Sequence, residues 1–181
     1  MNQGCYNRFE MRVQSFAPVV GSEPKVLVLG SMPGRRSLEM QQYYAHPRNL
    51  FWQIMGTICN VGPELPYLSR LATLQKSGIA LWDVLQDCER TGSLDGNIRK
   101  ESEVANDLPG LLGDLPSIQA IGFNGGKAWL AFRRLVLPVL NPTIRERLNF
   151  IPLPSTSPAN AGISLEEKLK KWQAIQRYLL L

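Results

Sequence analysis

The chain has 181 residues, 44% hydrophobic and 19% charged, a balance that excludes a disordered chain and suits one domain whose core needs neither metal nor disulfide. A formal charge of +5 and a pI near 9.3 favour a partner with a negative surface such as nucleic acid, although many unrelated enzymes share that excess. Cys5, Cys59 and Cys88 form no CxxC pair and His46 is the sole histidine, so zinc-ribbon, iron–sulfur and multi-histidine centres lack their ligands, and no metal or other cofactor is expected.

The start, MNQGCYNRFEMRVQSF, has no apolar run resembling a secretory signal, and no stretch reaches membrane-spanning length. Reduced thiols then point to the cytoplasm, or to the nucleus of a eukaryote. No repeat or linker interrupts residues 1–181, so a single domain, and a monomer, is the simplest expectation.

Short apolar runs at 25–30 (KVLVLG), 78–83 (GIALWD), 117–123 (SIQAIGF) and 148–153 (LNFIPL) read as strands covered on both faces. Helical patterns separate them at 49–59, 67–76, 106–112 and 125–136. Ser164 and Glu167 form a capping box for a last helix. Its stripe is Leu165, Leu169, Trp172, Ile175 and Leu179, with Lys168, Lys170, Lys171 and Arg177 left to the surface. The polar stretch 92–102 (GSLDGNIRKES) reads as a surface loop. Strands alternating with helices predict a three-layer α/β/α sandwich around a four-stranded, mainly parallel sheet. Ligands in such sheets bind beyond the carboxyl ends of the strands.

Three loops leave those ends. GSMPG, from Gly30 through Ser31 and Met32 to Gly34, is small and rigid and lets backbone approach a ligand. It is neither a Walker loop nor a GxGxxG turn, and alone it reads equally as a plain strand exit. Downstream, YYAHPRNLFW gathers Tyr44, His46, Arg48 and Asn49. Rings beside a His-Pro turn suit stacking on a base, with arginine near a phosphate. After the third strand Phe123 offers a ring and Asn124 an amide that donates and accepts, matching a nucleobase edge. In PSTSPAN, Ser155, Thr156, Ser157 and Asn160 offer hydroxyls, an amide and exposed backbone to phosphate oxygens.

GSMPG, YYAHPRNLFW, GIALWDVLQDCERTGSLDGNI, IGFNGGKA and LPSTSPAN occur in this order across about residues 16–160. Together they resemble the hypoxanthine-DNA (deoxyinosine) glycosylase branch of the uracil-DNA glycosylase superfamily. The resemblance implies hydrolysis of a base–sugar bond in double-stranded DNA carrying a deaminated base, without a metal. Sister families carry Asn, Asp or Glu shortly after the first loop's glycine. Here Ser31 and Met32 stand there, and the resemblance assigns the working amide to Asn49. It also implies weak action on uracil, because the last loop has no histidine near its start. Asn49 is the expected water-holding residue, His46 ranks second, and Asp83 has a turn role equally open to it. A uracil- or mismatch-type glycosylase, a hydrolase of free nucleosides and a silent damaged-DNA binder are the alternatives.

Overall fold

The computed structural model describes residues 11–179; Cys5 lies outside them. The chain runs β1 (Met11–Gln14), β2 (Val26–Gly30), α1 (Arg35–Met40), α2 (Phe51–Cys59), α3 (Tyr67–Lys76), β3 (Ile79–Asp83) and β4 (Leu85–Arg90). It continues through β5 (Val104–Ala105), α4 (Leu108–Asp114), β6 (Ala120–Asn124), α5 (Gly126–Leu135), α6 (Pro142–Arg147), β7 (Asn149–Leu153) and α7 (Leu165–Trp172). The strands β3-β2-β6-β7 form a parallel sheet in that order. The expected four-stranded three-layer architecture is therefore present, with each strand within a few residues of its apolar run.

Alternation along the strands builds two cores. On one face Leu27, Leu29, Ile121 and Phe123 pack with Leu112 of α4 and Phe132 of α5. On the other, Val26, Val28, Ile79 and Leu81 pack with Phe51 and Ile54 of α2, Leu74 of α3 and Trp172 of α7. Because successive residues of a strand point to opposite faces, β2 serves both cores. From β2 the chain moves to β3 on one side and returns to β6 on the other. The carboxyl end of β2 is thus the topological switch point, where a crevice opens in sheets of this kind.

Three features depart from the expectations. A second, antiparallel sheet, β1-β4-β5, flanks the main one. Its short mixed-polarity strands give a weak periodic signal; β4 reads LQDCER. The 92–102 stretch holds two single 3₁₀ turns, Asp95–Asn97 and Lys100–Ser102, and Ile98 within it is buried. It is therefore partly anchored rather than a simple surface loop. Finally, Lys168 is not on the surface: it is 1% exposed, and its ammonium donates to the Asn160 carbonyl at 2.7 Å. The capping box of α7 is formed as expected, Ser164 accepting from the Glu167 N–H and the Glu167 carboxylate from the Ser164 N–H.

Phe123 is fully buried, in ring contact with Trp129 and Phe132 at centroid distances of 4.8 and 4.9 Å. Its expected place against a base is thus corrected: strand alternation turns the ring into the α5-side core. Truncation there leaves a cavity in a packed aromatic cluster. Phe123→Ala is expected to cost about 3–5 kcal/mol, measured by urea unfolding at neutral pH.

Candidate functional site

A cavity of about 550 Å³ opens at the carboxyl ends of the parallel strands, touching Gly30, Asp83, Asn124 and Leu153. Its walls are the three loops read from the sequence together with the 93–95 segment. Ser31, Met32, Tyr44, His46, Asn49, Asn124, Ser155, Thr156, Ser157 and Asn160 all line it. Phe123 and Arg48 do not. Arg48 is exposed outside the cavity, where it remains available to an external phosphate.

The glycine loop is held from behind. Ser31 Oγ donates to Asp95 Oδ1 at 2.7 Å. The Arg90 guanidinium donates to the Pro33 carbonyl at 2.6 Å and to the Gly92 carbonyl at 3.1 Å. A Cβ on Gly30 would lie 2.4 Å from Asp83 Oδ1, so only glycine allows the carboxylate to sit against the strand exit. Ser31 is therefore spent largely on fixing the wall, since its hydroxyl proton goes to Asp95. Met32 belongs both to the wall and to the α5-side core.

The HPRN segment is a chain of local bonds. The Arg48 N–H donates to His46 Nδ1 at 3.1 Å, so a neutral His46 carries its proton on Nε2. The Asn49 N–H donates to the His46 carbonyl at 2.8 Å. Asn49 Oδ1 accepts the Phe51 N–H at 3.0 Å, satisfying a donor at the start of α2 as a polar residue before a helix does. Its NH₂ has no partner among the described residues. Tyr44 adopts a left-handed backbone, φ 55°, which places its ring flat on Phe51 with centroids 3.9 Å apart. Its hydroxyl bonds the Asn124 side chain, and burial raises its pKa.

Asn124 does not meet a ligand with its whole amide edge. Its Oδ1 accepts the Thr156 N–H at 2.8 Å and its Nδ2 donates to Thr156 Oγ1 at 2.9 Å. Thr156 in turn is 0% exposed, and its carbonyl accepts the Leu50 N–H at 3.0 Å. Thr156 is a buried connector rather than a phosphate ligand, which corrects the expectation for it. Ser155 and Ser157 each accept a backbone N–H two residues on, and each hydroxyl keeps its own proton to donate. Asn160 closes the loop, its Nδ2 donating to the Ser155 carbonyl at 3.1 Å.

Asp95, Arg90, Lys168 and Trp172 complete the site and went unread in the sequence. Asp95 and Arg90 carry no local signature in a polar segment, and Lys168 is disguised by neighbouring lysines. Trp172 was assigned to the core, yet its Nε1 also donates to the Pro154 carbonyl at 3.0 Å. Asp83 is pushed up to about 7, first by burial and then by Asp95, with Arg90 opposing. Burial likewise raises Asp95, which the Ser31 bond and Arg90 pull back. Among the described residues no group of three or more His, Cys, Asp or Glu side chains is placed to hold a metal ion. Nor is any helix among them long and apolar enough to cross a membrane.

Similarity to known proteins matches this geometry. The profile of the uracil DNA glycosylase superfamily covers residues 18–178. A hypoxanthine DNA glycosylase of Methanosarcina barkeri is 37% identical over 121 residues, 65% of this chain and 74% of the relative. Another, of Methanosarcina acetivorans, is 33% identical over 167 residues, 91% of this chain and 98% of the relative. A candidate uracil DNA glycosylase from Methanosarcina acetivorans, solved by NMR in solution, superposes with a TM-score of 0.75 at 33% identity. That match covers 92% of this chain and 98% of the other.

Lys168 and Trp172 hold the two ends of the 154–160 loop from α7. A hydrogen bond from a charged donor is worth about 1.5–3 kcal/mol. Lys168→Met is therefore expected to speed amide exchange at Ala159 and Asn160 by about tenfold or more, read by hydrogen–deuterium exchange, with global exchange of the sheet unchanged.

Proposed function

The chain belongs to the uracil DNA glycosylase superfamily, and on that footing we propose that it removes hypoxanthine from DNA by hydrolysing the bond between base and deoxyribose. The observation that carries the reading is the Asn49 amide. It stands on the cavity wall with its oxygen occupied by Phe51 and its NH₂ unclaimed, in the segment whose sequence sets this branch apart. The similarity to two hypoxanthine DNA glycosylases supports the choice of base.

A base inside a duplex cannot reach such a cavity, so the nucleotide flips out, at lower cost when the base pairs poorly. The N9–C1′ bond then breaks with its electron pair leaving on the base. Positive charge builds on the sugar, water adds its oxygen to C1′, and the water's proton ends on the departing base. Donors already aimed at the developing anion lower the barrier without reorganising. The Asn49 NH₂ and the Nε2–H of neutral His46 are such donors, and Asn49 also orients the attacking water. An amide is too weak a base to remove the proton itself.

The mouth suits a DNA backbone. Arg35 and Arg36 open α1 at the cavity edge, both exposed, and Arg48 is exposed beside it. Ser155 and Ser157 add hydroxyl donors from the opposite loop. Phosphate contacts of this kind set register and make affinity fall with salt.

Asn49→Asp separates chemistry from folding, because the carboxylate still accepts the Phe51 N–H while the NH₂ donor is gone. Single-turnover excision from a hypoxanthine duplex, without divalent metal, is expected to drop about 10²–10³-fold with the melting temperature little changed. Near-normal rates would reject Asn49. Cleavage of free inosine at comparable efficiency would instead identify a nucleoside hydrolase, and duplex binding without abasic sites a silent binder.

A further inference from the structure

Asp83 is a buried carboxyl that neither the fold nor the chemistry above consumes. It ends β3 in register with Gly30, is 4% exposed, and lines the cavity. Its Oδ2 is buried with no hydrogen-bond partner among the described residues. Its backbone carbonyl, by contrast, is satisfied by Asn106 Nδ2 at 2.9 Å. A Cβ at position 30 would meet both Asp83 Oδ1 and, at 3.5 Å, the Tyr44 hydroxyl. The missing side chain thus makes the room that the carboxyl occupies between the first loop and the Tyr44 ring.

We propose that Asp83 is a base-contacting specificity residue, whose carboxylate accepts the ring N–H that deamination creates; this rests on the glycosylase reading above. Deamination of adenine changes N1 from a lone-pair acceptor into an N–H donor, and deamination of cytosine does the same at N3. An ionised carboxylate is acceptor-only. It pairs with N1–H of hypoxanthine or N3–H of uracil, and it faces a lone pair in adenine or cytosine. Sites built around one buried hydrogen bond reject the analogue lacking it strongly, because both groups are then left unpaired. Guanine and thymine carry an N–H of this type as well. They are held back by the cost of opening a sound base pair, the step that precedes the contact.

The surroundings make this contact sensitive to pH. Asp95 faces Asp83 from the 92–102 segment and Arg90 from β4. Tyr43 and Tyr44 face it from the segment after α1. β2 brings no charge, while His46 and Lys127 line the same cavity. Burial and Asp95 together place the carboxyl near 7. Below that value it is protonated, becomes a donor, and no longer opposes a lone pair.

The experiment compares wild type and Asp83→Asn in single turnover on duplexes carrying hypoxanthine, 1-methylhypoxanthine or adenine, each opposite cytosine, from pH 5.5 to 8.5. Wild type is expected to lose selectivity for hypoxanthine over adenine at least tenfold towards pH 5.5, and to excise 1-methylhypoxanthine at least a hundredfold more slowly than hypoxanthine. Asp83→Asn, whose amide can present either group, is expected to have at least tenfold lower selectivity at pH 8 and no acid limb. A raised melting temperature for the variant at pH 8, vanishing near pH 4, would confirm that the carboxyl is buried and that the variant folds. The acid's pKa is higher folded than unfolded, so its ionisation opposes folding above about pH 4. Wild-type selectivity in the variant with the acid limb intact, or excision of 1-methylhypoxanthine within threefold of hypoxanthine, would overturn the proposal. Absence of abasic sites from wild type on hypoxanthine would instead sink the functional reading on which it rests.

Discussion

Thr156 ties together three stretches that lie far apart in sequence. Its N–H and hydroxyl meet the two ends of the Asn124 amide at the exit of β6. Its carbonyl receives the Leu50 N–H at the head of α2. Each such bond contributes about 0.5–1.5 kcal/mol net, but removing one partner leaves another buried group unsatisfied at a cost of about 1–3 kcal/mol. The knot therefore matters more for position than for bulk stability. With Leu50 pinned, its neighbour Asn49 has little freedom, and the NH₂ on which the chemistry depends is presented by a rigid frame. A threonine with no exposure thus governs an asparagine at the cavity wall.

The opposite wall is organised by charge. Arg90 supports the first loop through carbonyls of Pro33 and Gly92 while lying close enough to Asp83 and Asp95 to oppose the effect of burial on both. One Arg90 nitrogen and one Asp83 oxygen are buried without partners. Groups left in that condition are destabilising, and natural cores avoid them. Their persistence at the inner end of a cavity, beside a strand exit kept open by glycine, is the pattern of a site where stability is given up for chemistry. A neutral residue at position 83 would pack more comfortably and would lose the acceptor.

Much of this was legible in the chain itself. Val26–Gly30 and Ala120–Asn124 are strands covered on both faces, and their apolar runs say so without ambiguity. The YYAHPRN and PSTSPAN blocks were likewise assigned to the mouth of the sheet, where they lie. The errors have a common origin, which is side-chain direction. Phe123 was read as facing a ligand because it ends a strand, yet strand parity places it with Ile121 in the core. Thr156 and Asn124 were read one at a time as groups for phosphate and base. Their mutual bonds, 32 positions apart, leave no trace in local composition. The strands β1, β4 and β5 escaped notice because their stability comes from pairing with each other rather than from an apolar pattern.

The C-terminal helix shows how far such long-range effects extend. Its lysines look alike in sequence, and Lys170 and Lys171 are exposed as a solvated face should be. Lys168 differs because Ser164 sets the helix phase through its capping box, turning position 168 inward with Leu165, Leu169 and Trp172 towards the sheet. A buried ammonium is tolerated only when its donors are used, and the Asn160 carbonyl, the last group of the final loop, uses one. Trp172 takes the Pro154 carbonyl at the other end. The motif resemblance fades at about residue 160, whereas the superfamily profile runs on to 178. The bonds from α7 give a physical reason for the difference: the loop facing DNA has its two ends held by the segment that follows it, so that segment belongs to the site although it presents nothing to the substrate.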